Sequence, residues 1–229
     1  IHVREPAPIE EQDIIRLNRD TLYSFAVFDL TTPVTISKPD PQGRFQSMLV
    51  FDQDHYVVAI EHDAGVFTFD QDSVDTRYMF VAFRTFMDPE DAADVAAANA
   101  LQDAIQVEQS DAGSFEAPNW DQASLDRTRG QLLAMAASVP PDIGSDGTFG
   151  ARGEVDPVKH LLGTAIGWAG NPETAAYYEM FYSDPSEALR PYAVTVPAEV
   201  PVDGFWSITL YNSDGYMEAN DAGAYSINN

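Results

Sequence analysis

Four polar side chains stand side by side at Asn18-Arg19-Asp20-Thr21, just ahead of an aromatic-rich run that opens with Leu22 and Tyr23. A carboxylate such as Asp20 can orient a base or a water, and an arginine such as Arg19 can hold a carboxylate through paired N–H bonds. The same block has a purely local use as well, with Asp20 and Thr21 capping a strand by bonding nearby backbone. His55, next to Tyr56, is a second general-base candidate. Asp20, His55 and Arg44 are therefore the candidate catalytic residues. Asn18, Arg19, Tyr23, Trp168, Trp206 and Tyr211 are the candidate ligand-binding ones, the aromatic members lining a pocket.

His55 and His62 are flanked by Asp52, Asp54, Glu61 and Asp63, a set that could hold a metal. Their odd spacing puts them on opposite sides of an extended strand unless a turn intervenes, so an acidic surface hairpin is the simpler reading. With no cysteine and only four dispersed histidines, no transition metal and no cofactor are expected. Gly167-Trp-Ala-Gly-Asn-Pro172 is a glycine-rich turn without the lysine of a phosphate loop. Trp168 in it either anchors packing or lines a pocket with Trp206 and Tyr211. No serine nucleophile elbow is present. Asp184 and Glu187 read as solvated helix ends.

The balance of 37 Asp+Glu against 12 Lys+Arg gives a net charge of −25. Such a field repels nucleic acid and anionic lipid, and it suits a small neutral or cationic ligand. The acids are scattered along the chain, which fits a solvated shell for a saline habitat better than a cation-binding surface. The 45% hydrophobic fraction can supply a core, and no apolar run is long enough to span a bilayer. The start at Ile1 lacks a signal-peptide pattern and reads as a processed end.

The elements that must position these groups follow from periodicity. Leu22–Leu30, Val34–Ser37, Arg44–Phe51, Tyr56–Ile60, Val66–Phe69 and Tyr78–Thr85 read as short strands between breaker-rich turns, hence an antiparallel sheet or sandwich. Asp88-Pro89 predicts a helix start, with Val95, Ala98, Leu101, Gln102 and Ile105 on its inner face. Asp121 opens a second helix, with Leu125, Leu132, Leu133 and Ala136 inward, which Pro140-Pro141 stops. Helices are also predicted near Asp156–Ile166 and Glu173–Tyr182, and strands at Tyr192–Val196 and Phe205–Tyr211. In the last of these, Phe205, Ser207, Thr209 and Tyr211 share one side, Trp206, Ile208 and Leu210 the other. The fold class is α+β: a β-sandwich-like part over 1–87, a helical segment over 88–190, and C-terminal strands over 191–229 that return to a sheet.

Several blocks in order carry a resemblance: Asn18-Arg-Asp-Thr-Leu-Tyr-Ser24, Gly43-Arg44-Phe45, Asp54-His55-Tyr56, Pro118-Asn-Trp120, Gly167-Trp-x-Gly-Asn-Pro172, Pro201-Val-Asp-Gly-Phe-Trp-Ser207 and Ala224-Tyr-Ser-Ile-Asn-Asn229. Along nearly its whole length the chain resembles the exported bacterial families of unknown function catalogued as domains 1254 and 1214. The resemblance implies an extracytoplasmic protein with a β-sandwich part and a helical part, and it promises no activity. It also implies further strands after Asn229. Either more polypeptide or an intermolecular contact, in a homo-oligomer, is then expected to complete the sheet.

Two functional readings result. One is a small-ligand binder, or an enzyme of hydrolase or lyase type, with an aromatic-lined pocket on which Asn18, Asp20, Arg44 and His55 converge. The other is a non-catalytic envelope or assembly protein in which the same polar blocks lock the fold. Asn18–Ser24 is expected to lie near Phe205–Tyr211, because both are dense in aromatic and polar residues.

Overall fold

A computed structural model describes residues 1–12, 15–139, 146–182 and 191–229. Its first half is two facing antiparallel sheets. One is four-stranded, in the order β1 (Thr21–Asp29), β6 (Tyr78–Phe86), β3 (Gln46–Asp52) and β4 (Val57–Glu61). The other is three-stranded, with β5 (Gly65–Phe69), β2 (Val34–Lys38) and β7 (Gln106–Gln109) in that spatial order. Met48, Val50, Met79, Val81 and Phe83 on one face of the larger sheet meet Val34, Ile36 and Phe69 of the smaller, and these form the core. Alternation then forces the opposite face of the larger sheet to carry Tyr23, Phe25, Phe80, Ala82, Arg84 and Phe86. Along β6 every residue from Phe80 on that face stays half-buried, whereas the core-facing partners are sealed.

The strand expectations hold with shifts of a residue or so, and Gln106–Gln109 is an addition. Its sequence is polar and short, and it becomes a strand only because β2 offers an open edge. A short helix, α1 (Gln71–Val74), was also not foreseen; Asp70 and Ser73 close a capping box around it. At the other edge, Ile1 and Val3 exchange backbone bonds with Phe25 and Tyr23, so the N-terminal arm covers β1.

Helix α2 (Ala92–Asp103) starts later than predicted. Its N-cap is Asp91, while Asp88 accepts the Glu90 N–H in a preceding turn. Ala98 and Gln102 are its buried positions, and Val95 packs beside Leu22 and Met87. Helix α3 (Gln122–Ala137) begins at the expected cap, Asp121, but buries none of its residues. Leu125 and Leu133 stay 44% and 38% exposed, so the inward face drawn for it is not realised; α3 packs chiefly on α4 (Pro157–Ile166). The predicted stop at Pro140-Pro141, together with Asp184 and Glu187, lies outside the described residues.

Two further expectations are corrected. Glu173–Tyr182 forms a turn followed by irregular backbone instead of a helix, because Tyr177, Phe181 and Tyr182 project outward and gain no burial to offset poor helix propensity. Among the described residues Tyr192–Val196 pairs with no strand, and it is not itself a strand. The C-terminal hairpin pairs β8 (Ser207–Thr209) with β9 (Ser226–Asn228) as a two-stranded ribbon, shorter than the Phe205–Tyr211 strand predicted. The two-sided alternation survives: Phe205 packs on Phe45 and Phe86, while Leu210 is 81% exposed.

Candidate functional site

The turn before β1 and the C-terminal hairpin meet at Asp20. Its carboxylate is fully buried, and Oδ1 accepts from Ser226 Oγ and Asn228 Nδ2, each at 2.9 Å. Oδ2 is buried with no hydrogen-bond partner. Such an atom forfeits the water it would bind in the unfolded chain, a cost of about 1–3 kcal/mol. Asn18 builds this corner by accepting from the Asp20 N–H and the Thr21 hydroxyl. A small cavity of about 160 Å³ opens behind Ser226 and Asn228, walled by Arg19, Glu90 and Tyr225.

Two phenols share this environment. Burial pushes the Tyr23 hydroxyl up from its ordinary range, with Asp20 and Tyr178 adding to the rise and Arg84 opposing it. Tyr211 is raised by burial too, and Asp20, Tyr23 and Tyr178 push the same way. Both therefore remain hydrogen-bond donors at neutral pH, and Tyr211 spends its proton on the Leu17 carbonyl at 3.1 Å. The Asn18–Ser24 block and the Phe205–Tyr211 block are thus joined, and Asp20, Tyr23 and Tyr211 form one cluster. Arg19 lies at its rim, its guanidinium over the Tyr225 ring and bonded to the Ala7 carbonyl.

The other candidates are placed elsewhere. Thr21 pairs with Phe86 and Asp52 with Met79, so Asp20 and His55 flank opposite ends of the sheet, on the order of 20 Å apart at the usual strand rise. His55 occupies the β3–β4 turn with a φ of 71°, its ring against Phe51, Phe149 and His160. Its Nε2 accepts the Ala169 N–H at 2.6 Å, so the lone pair a general base would use is occupied. Burial, then the neighbouring His160, lowers its pKa to about 4. Arg44 is held in a two-pronged pair with Asp94 and bonds the Phe86 carbonyl, tying the β2–β3 loop to α2. Trp168 stands edge-on to Phe51 and Phe80 at the His55 end, and Trp206 donates its backbone N–H to Asn229 Oδ1. Among the described residues, no His, Asp and Glu side chains gather in a metal-holding group.

Residues overlooked in the sequence complete the Asp20 cluster: Ser226 and Asn228, from a block notable only for its order, and Arg84. An arginine interrupting the aromatic half of β6, Tyr78-x-Phe80-x-Ala82-x-Arg84-x-Phe86, was the available signal.

Residues 1–68 match the family described as Protein of unknown function (DUF1254), and residues 177–229 that described as Protein of unknown function (DUF1214). None of the curated proteins matches. The crystal structure of the VPA0106 protein from Vibrio parahaemolyticus is similar, with a TM-score of 0.61 at 18% identity, over 93% of this chain and 74% of that one. That likeness concerns the fold alone.

Proposed function

From a chain that pairs a DUF1254 region with a DUF1214 region, we propose an extracytoplasmic small-ligand-binding protein whose site is the corner where the turn before β1 meets the C-terminal hairpin at Asp20. The observation that carries this reading is the buried, unpartnered Oδ2 of Asp20 among phenols held protonated. A ligand hydroxyl or amine N–H would satisfy that oxygen, and the surrounding rings would bury its apolar part. If the site is catalytic, Asp20 is the group able to take a proton, in hydrolytic or eliminative chemistry. The location outside the cytoplasm rests on the sequence blocks that carry the resemblance. No helix among the described residues is long and apolar enough to cross a membrane.

A second reading, a non-catalytic envelope or assembly protein, draws on Arg44 and His55, whose polar atoms are occupied by the fold itself. The test is ligand-observed NMR with a fragment library against the protein and its Asp20→Asn variant. Fragments that bind the parent and are lost in a folded variant support the binding site. Binding that is absent, or indifferent to the variant, favours the structural reading.

A further inference from the structure

A groove of about 1,070 Å³, open to solvent, lies between α2 and the β2–β3 loop, residues 39–44. On the helix side Ala97, Ala100, Leu101 and Ala104 line it, and their spacing of three and four residues makes one stripe about 10 Å long. The face that α2 buries is a different one, carrying Ala98 and Gln102. Ala97, Ala100 and Ala104 are exposed. The rings of Phe45, Phe86 and Phe205 also line the groove, with Phe205 centred 4.6 Å from Phe86 and 5.1 Å from Phe45. None of the three is fully buried.

Four carboxylates, Asp40, Asp88, Asp91 and Asp94, line the same groove against one guanidinium, that of Arg44. Arg44 is spent on Asp94, and their pair ties the loop to α2. Asp40, Asp88 and Asp91 form no ion pair among the described residues. Each accepts a backbone N–H two residues on, from Gln42, Glu90 and Ala93 respectively. The partial positive charge at the start of α2, about half an elementary charge, offsets only a fraction of theirs. The groove is thus apolar along its length and anionic around it.

We infer that this groove docks an extended basic segment of another protein, its lysines or arginines at the three unpaired carboxylates and a bulky apolar side chain against the rings. The sign of the partner follows from charge complementarity. A second copy of this chain is opposed by the net charge of −25 that it would bring. A small organic cation would be poorly enclosed, since small-ligand pockets of about 300–1,000 Å³ bury most of their ligand and this groove stays open. A peptide suits an open groove, because its backbone can stay hydrated on the outer side while alternate side chains enter. The alanine stripe lets that backbone lie close to the helix. The groove is a separate site from the Asp20 corner, although Asp88 and Asn228 line both. Peptide docking here therefore stands whether or not a small ligand occupies that corner.

The test presents a random decapeptide display library to the whole chain and measures the selected peptides, as labelled synthetic copies, by fluorescence polarisation. They should be rich in lysine and arginine and carry at least one aromatic residue or leucine. Asp40→Asn combined with Asp91→Asn keeps both backbone-bonding oxygens and should weaken binding about fivefold or more. Ala100→Trp fills the groove without changing its charge and should weaken binding as much. Asp72→Asn combined with Asp126→Asn removes the same charge from exposed positions outside the groove, and should change binding by less than about twofold. Peptides that are not basic, or none binding more tightly than about 100 μM, overturn the inference. Equal weakening by the two asparagine pairs, or indifference to Ala100→Trp, overturns it as well, since the acidic shell alone then attracts the peptides. If octylamine displaces them at comparable concentration, the occupant is a small amine and the inference fails. It fails too if the chain dimerises in sedimentation and Ala100→Trp abolishes the dimer, because the occupant is then a second copy.

Discussion

Ala169 donates its backbone N–H to Nε2 of His55, and this contact fixes the imidazole as the neutral form with its proton on Nδ1. Charging the ring would set one N–H against another inside a partly buried aromatic nest. The folded pKa is about 4, against 6.5 for the free group. Between those values the unfolded chain binds more protons, so His55 contributes stability that is present above pH 6.5 and lost as pH falls toward 4. The full shift corresponds to about 3 kcal/mol, and solvent access to the ring reduces this to the order of 1–2 kcal/mol. His55→Gln, whose side-chain oxygen can still accept from Ala169, should flatten the dependence of stability on pH between 7 and 5. Equal slopes in urea titrations of parent and variant would refute this.

How far the sequence speaks can be judged from Asp20 and Arg84. Periodicity exposes β1 and β6, and the pairing of Thr21 with Phe86 then follows from packing one apolar face. Asp20 stood out because four polar residues preceded an aromatic run. Arg84 did not, because a single arginine in a strand is unremarkable until its cross-strand neighbours are known. His55 failed in the opposite direction: its chemistry is set by an amide 114 residues away, which no local pattern reveals. Tyr192–Val196 shows the same limit, since β-branched and aromatic residues favour a strand but cannot supply the neighbour it needs.

Replacing Asp20 separates its two oxygens. Asp20→Ala removes both bonds to the hairpin, each worth about 1.5–3 kcal/mol for a charged acceptor, although Ser226 and Asn228 can turn partly to solvent. A net loss of about 2 kcal/mol is expected. Asp20→Asn keeps an oxygen for Ser226 and Asn228 and should cost under about 1 kcal/mol. Equal losses from the two substitutions in chemical denaturation would show that Oδ1 does not hold the hairpin.

The loop that seals the far end of β1 depends on one glycine. Asp29 is held well below the usual carboxylate range, first by its hydrogen-bonded pair with Arg77 and then by the backbone N–H groups of Ser114 and Thr31. Gly113 reaches over this pair with a φ of 65°, and an added Cβ would stand 2.5 Å from Asp29 Oδ2. Gly113→Ala should therefore lower Tm by several degrees through strain and a broken Asp29 contact. An unchanged Tm would mean that the 111–116 loop can move aside freely.

Salt should stabilise the molecule. A net charge of −25 repels itself within the compact state, and at 1 M salt the screening length falls to about 3 Å. The Arg–carboxylate pairs weaken under the same screening but are few beside the surplus acids. Tm is expected to rise between dilute buffer and 1 M NaCl, and to rise less after several exposed Asp→Asn changes on α3 and its flanks. A Tm that stays level or falls would show that the ion pairs outweigh the repulsion.

The sharpest contrast is between two arginines, Arg44 in the β2–β3 loop and Arg84 in β6. Arg44 fills its fork with Asp94 and the Phe86 carbonyl, and Asp94 also accepts the Asp88 N–H at the start of α2. The pair holds Arg44 above and Asp94 below their ordinary ranges, chiefly through their mutual hydrogen bonds. Both side chains are mostly shielded, at 20% and 29% exposure, so this bond is worth more than a surface pair. Arg44→Gln should cost about 1–2 kcal/mol and loosen the α2 amides toward hydrogen exchange. Among the described residues Arg84 reaches only Ser47 Oγ, at 3.4 Å, and the Phe45 ring, so Arg84→Gln should cost less than Arg44→Gln and leave the α2 amides unchanged in exchange. If Arg84→Gln destabilises as much as Arg44→Gln, Arg84 is a structural clamp of equal weight.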